Sequence, residues 1–69
     1  MQRDPVVSSN VASIGYDPGT MTLEVEFHGG RVYQYFDVPE PVYHHFMVAG
    51  SIGKFLNSEI KGVYRCAQL

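Results

Sequence analysis

Tryptophan is missing from these 69 residues, and cysteine occurs once, at Cys66. A single thiol closes no internal disulfide, so the fold has to be held by packing. Charge is scarce as well: 5 Lys and Arg stand against 7 Asp and Glu, a net charge of −2, with charged residues at 17% overall. The basic excess of a dedicated nucleic-acid binder is absent, which leaves that role only to a local patch. No apolar run approaches the roughly 18 residues that a membrane span needs. Met1–Pro5 is polar with no apolar stretch behind it, unlike a secretory signal, and a cytoplasmic protein is expected.

What is present is 45% hydrophobic residues, including five tyrosines and four phenylalanines. That is the composition of one globular domain, which at this length buries only about 60% of its unfolded surface. Residues 1–10, with Pro5 and the polar run Ser8-Ser9-Asn10, read as a lead-in, and residues 11–69 as a single domain. A first strand spans roughly Val11 to Asp17. Asp17-Pro18-Gly19-Thr20 has turn chemistry, proline fixing one dihedral and glycine permitting positive φ. Thr22–Phe27 then alternates polar and apolar residues, which makes Leu23, Val25 and Phe27 face the core and Glu24 and Glu26 face water. A third strand follows Gly29-Gly30, running from Arg31 to about Val38, and Pro39 closes it.

Two registers are open to the second and third strands. A two-residue Gly29-Gly30 loop puts Val25 opposite Gln34, which turns Tyr33 and Tyr35 toward the glutamates. A three-residue loop, His28-Gly29-Gly30, made of a type I turn and a left-handed Gly30, pairs Val25 with Tyr33 and Leu23 with Tyr35. A slip of one residue exchanges the two faces. The longer loop gives the broader apolar floor and makes Tyr33 and Tyr35 core residues, with hydroxyls at the core's edge. It leaves Val32 and Phe36 as an apolar pair on the open face.

After Pro39 the period changes. Val42, Phe46 and Ala49 fall on one helical stripe with Tyr43 and Met47 beside them, entered through Glu40-Pro41 and ended by Gly50. Ser51 is suited to cap a second helix that buries Ile52, Phe55, Leu56 and Ile60 and stops at Gly62. Val63-Tyr64-Arg65 reads as a short extension returning to the sheet. The expected fold is α+β: a three-stranded antiparallel β-meander with two short helices packed on one face.

No catalytic constellation stands out. His44 and His45 project about 100° apart on a helix, which suits surface residues better than joint metal ligands. "GSIGKF" lacks Walker spacing, since Val48 stands where a glycine is required and Phe55 where Ser or Thr is. Ser8, Ser9, Ser51, His28 and Asp17 supply hydrolytic residue types without an arrangement, and Cys66 reads as a bystander. Neither enzyme activity, nor a metal, nor a cofactor is expected. The remaining polar set is Lys54, Asn57 and Lys61 at i, i+3 and i+7, followed by Arg65. It reads either as a solvated helix face or as an RNA-backbone contact aided by Arg31 or Tyr64.

Several segments form an ordered pattern: "SS" at 8–9, "SIGYD" at 13–17, "LEVEF" at 23–27, "VYQY" at 32–35, "VP" at 38–39, "AGSIGKF" at 49–55 and "IKGVY" at 60–64. Together they resemble the KTSC domain, a bacterial module found alone and appended to the C-terminus of some lysyl-tRNA synthetases. The resemblance covers nearly the whole chain, and the family's central Y-x-Y corresponds to Tyr33 and Tyr35. The chain departs from the family's usual look at Gly50 and Ile52 around Ser51 and in its paired histidines. Through the synthetase fusion, the resemblance implies RNA as a partner, either tRNA or single-stranded RNA. The other expectation is a protein partner or homodimer held through Val32, Phe36 and the sheet edge.

Overall fold

Alternation through Leu23, Val25 and Phe27 makes a strand at the centre of the sheet, and the rest of the molecule is laid down around it. The computed structural model describes residues 1–69. Along the chain lie β1 (Arg3–Pro5), β2 (Val11–Asp17), β3 (Thr22–Phe27), β4 (Val32–Tyr35), α1 (Glu40–Met47), α2 (Ile52–Phe55) and β5 (Cys66–Gln68). A π-helical segment, Leu56–Ile60, continues α2 without a break. The strands form one antiparallel sheet in the order β1-β2-β3-β4-β5.

The sheet therefore has five strands where the sequence suggested three. The two extra strands are the edges, each three residues long, too short for a period of two to register in the sequence. β1 lies within the stretch read as a lead-in, and its Pro5 is tolerated because an outer strand has a free side. The return to the sheet is made by Cys66–Gln68 instead of Val63–Arg65. Val63 and Tyr64 are occupied in the helix exit, both donating to the Ile60 carbonyl, at 3.1 and 3.2 Å.

β3 and β4 adopt the register of the three-residue loop, with Val25 opposite Tyr33 and Leu23 opposite Tyr35. Phe27 N–H donates to Arg31 O at 2.8 Å, and Gly30 N–H to Phe27 O at 3.0 Å. The turn chemistry differs from the expected type I, because Gly29 already has φ +104° ahead of Gly30 at +93°. A positive φ at the third turn position is the type II requirement. β4 ends at Tyr35, short of the expected Val38, because Asp37 takes φ +57°. In the β2–β3 turn the left-handed residue is Met21, at φ +55°, and not Gly19, whose N–H is held by Asp17 Oδ1 at 2.9 Å.

Ser51 Oγ caps α2 by accepting from Lys54 N–H at 3.2 Å. Ile52, Leu56 and Ile60 then turn into the core, and Phe55 stacks on Phe46 of α1 with centroids 5.3 Å apart. The final wide turn is closed by Lys61 N–H donating to Leu56 O at 2.8 Å, a bond spanning five residues, and Gly62 at φ +79° ends it. Both helices cover the sheet face that carries Ile14, Leu23, Val25 and Tyr35. No helix is long and apolar enough to cross a membrane.

The other face carries no helix and is closed by polar side chains. The register places Arg3, Gly15, Glu24, Gln34 and Ala67 in one row across the strands, and Pro5, Ser13, Glu26 and Val32 in the next. Arg3 spans the gap left by Gly15: its Nη1 donates to Glu24 Oε2 and its Nε to Ser13 Oγ. Ser13 donates in turn to Glu26 at 2.8 Å, and Gln34 Nε2 to Glu24 Oε1 at 3.0 Å. Glu24 is only 5% exposed, yet no buried side-chain polar atom in the chain lacks a partner.

Candidate functional site

The helical layer and the β3–β4 hairpin do not close completely, and a cleft of about 440 Å³ remains where α2 passes the hairpin's end. Its floor is aromatic. Phe27 and Tyr33 meet edge to face, centroids 5.6 Å apart and planes at 88°. The Tyr33 hydroxyl donates to Gln68 Oε1 on β5 at 3.2 Å, so the ring is held from two sides. Tyr35 lies deeper, 3% exposed. Burial above all, and then the neighbouring Cys66 and Tyr33, push its hydroxyl above the ordinary tyrosine value, so Tyr35 stays neutral.

One wall is the helix, contributing Gly53, Leu56, Asn57 and Lys61. The facing rim comes from Arg31 and His28 at the hairpin end and from Ser9 and Asn10 ahead of β2. His28 N–H donates to the Asn10 carbonyl at 3.0 Å, and its Nε2 donates to the Ser8 carbonyl at 3.0 Å, so two hydrogen bonds tie the hairpin tip to the segment before β2. The β4–β5 register sets Cys66 opposite Tyr35, which brings the thiol to the cleft.

The electrostatics of this cleft are opposite in sign to those of the chain. None of its lining residues is Asp or Glu, and it has two permanent cations, Arg31 and Lys61. Neither makes an ion pair; the chain's ion pairs involve Arg3, His44 and Arg65. Two uncompensated cations beside an aromatic ring and two amide side chains, Asn10 and Asn57, suit an anionic ligand with a planar part.

Of the residues singled out as RNA contacts, the structure brings Arg31, Asn57 and Lys61 to this one cleft. Lys54 is exposed nearby on α2 but does not line it. Arg65 is turned elsewhere, its Nη2 donating to Asp37 Oδ2 at 3.0 Å and its guanidinium lying 5.8 Å from the centre of the Phe36 ring. Tyr64 is half-buried against the core. Tyr35 is core, while Tyr33 is half-buried and belongs to both core and cleft. Val32 and Phe36 are half-buried: Val32 faces the polar side of the sheet opposite Glu26, and Phe36 sits beneath Arg65.

Sequence reasoning missed Asn10, Gly53 and Cys66 as parts of the site. Asn10 precedes the β2 stretch that pairs with Phe27, so the pairing of β2 with β3 was the signal that could have found it. His44 faces Glu40 at 3.4 Å, and nowhere do three potential metal ligands converge.

Sheet order, one-sided helices and a carboxylate-free cleft at the hairpin end define a small α+β domain with a concave site lined by Arg31 and Lys61. The chain belongs to the KTSC domain family, whose model matches residues 7–64. The crystal structure of a KTSC domain protein from Yersinia pestis is similar at a TM-score of 0.94 and 46% identity, covering 99% of this chain and 96% of that one. A protein of Tsukamurella paurometabola is 38% identical over 65 residues, 94% of this chain and 97% of its own length. A lysine–tRNA ligase of a Nostoc species is 38% identical over 61 residues, 88% of this chain and 11% of the ligase.

Proposed function

We propose that the chain is a non-enzymatic RNA-binding module that holds its ligand at the cleft between α2 and the β3–β4 hairpin. The observation that carries this reading is the pairing of Arg31 and Lys61, both without an ion-pair partner, around a fixed Tyr33 ring in a cleft with no carboxylate. In a chain of net charge −2, such a site attracts phosphate locally where the whole surface does not. Likeness to part of a lysine–tRNA ligase favours RNA over other polyanions. Binding without chemistry is favoured because Ser9, His28 and Cys66 line the cleft with no hydrogen bond among them. Self-association has less support: both edge strands have three residues, and Phe36 lies under Arg65.

Fluorescence anisotropy with a labelled single-stranded RNA and with tRNA, at low and rising salt, tests the proposal. Saturable binding that weakens linearly in log salt is expected, with Arg31→Ala and Lys61→Ala each lowering the slope by about 1. Absence of saturable binding to either RNA at low salt would overturn it.

A further inference from the structure

Gly53 is out of place by the fold's own logic. Glycine is conformationally costly in a helix, and a Cβ built on Gly53 would find as its nearest neighbour Asn10 Nδ2 at 3.7 Å, an ordinary contact. Packing therefore does not require it. Gly15 shows the contrast, since a Cβ there would stand 2.6 Å from the Gln2 carbonyl oxygen. What the missing side chain at Gly53 leaves open is the cleft itself, whose wall it forms beside Asn57.

The size and lining of that space restrict what enters. About 440 Å³ falls in the range of small-molecule sites, roughly 300–1,000 Å³, and holds one nucleotide unit. A duplex is convex and keeps its base edges paired, so only a nucleotide swung out of its stack reaches the floor. There, Tyr33 and Phe27 offer aromatic surface, Asn10 and Asn57 offer amide donors and acceptors to a base edge, and Arg31 and Lys61 stand at the rim for the phosphate.

We propose that the cleft admits one unpaired nucleotide of an RNA strand, its base against Tyr33 and its phosphate at Arg31 and Lys61, and that Gly53 keeps the entrance clear. This rests on the RNA-binding reading and narrows it to single-stranded RNA. Two comparisons on the intact chain test it: a short single strand against the same strand annealed to its complement, and wild type against Gly53→Leu. The single strand should bind about tenfold more tightly than the duplex, and Gly53→Leu should lose about tenfold of that affinity while its melting temperature is retained. Should Gly53→Leu unfold, the wild type decides: a nucleoside monophosphate must displace the single strand at concentrations where inorganic phosphate does not. Equal binding of single strand and duplex, with Gly53→Leu unchanged, would leave the RNA reading standing and overturn the nucleotide site. Displacement by phosphate alone as readily as by the nucleotide would do the same. Failure of wild type to bind either RNA would bring down both.

Discussion

Glu24 shows how one residue can read as plainly solvated and be otherwise. Its place in the alternating strand puts it on the face without helices, as expected, yet Arg3 reaches across Gly15 to cover it and Gln34 completes its hydrogen bonds. Burial works against the carboxylate, but the hydrogen bonds from Gln34 and Arg3 and the Arg3 charge outweigh it, holding Glu24 below the ordinary carboxylate range. Because the folded pKa is depressed, this stabilisation is complete above the unfolded carboxylate's titration near pH 4.3 and is lost as pH falls through the folded value. Urea denaturation should find Glu24→Gln less stable than wild type at pH 7 by about 1.5–3 kcal/mol. Between about pH 5 and pH 3 the gap should narrow, since only the wild type has this pairing to lose.

Among the elements, the long periodic ones were legible and the short ones were not. β2, β3, the two helices and the Ser51 cap follow from pattern, and the hairpin register follows from asking which pairing gives the helices an apolar floor. β1 and β5 have too few residues to show a period, and β1 is specified by tertiary contacts: its Arg3, and Gln2 just ahead of it, pack against Gly15. The left-handed residues Met21 and Asp37 also escaped notice, because a non-glycine residue gives weak warning of positive φ. The dependence of β1 on Gly15 makes a prediction at this scale. Gly15→Ala should lift β1 off the sheet, since its Cβ would also come within 3.0 Å of Arg3 Cγ. A loss of about 1–3 kcal/mol, with faster amide exchange in β2, is the expected outcome by thermal melting and hydrogen exchange.

At the scale of the whole molecule, the sheet divides two tasks between its faces. One face is sealed by the ion-pair network that β1 completes, and the other carries the helices and the cleft. The basic residues of the cleft were partly legible. Arg31 is placed by the hairpin, and Asn57 and Lys61 are one helical turn apart; Lys54 and Arg65 depart because the cleft meets α2 on its Gly53 side and because Asp37 is available to Arg65. The concavity itself was not legible, since it arises where the hairpin end, the segment before β2 and β5 come together.

The central assignment, that ligand meets this domain at the cleft, is tested most directly by titrating a short single-stranded RNA into isotope-labelled protein at low salt and following amide shifts. Saturable shifts concentrated at Asn10, Arg31, Tyr33, Gly53, Asn57 and Lys61 are predicted. Shifts confined to Val32, Gln34 and the other residues of the opposite face, or no shifts at any RNA concentration, would contradict it.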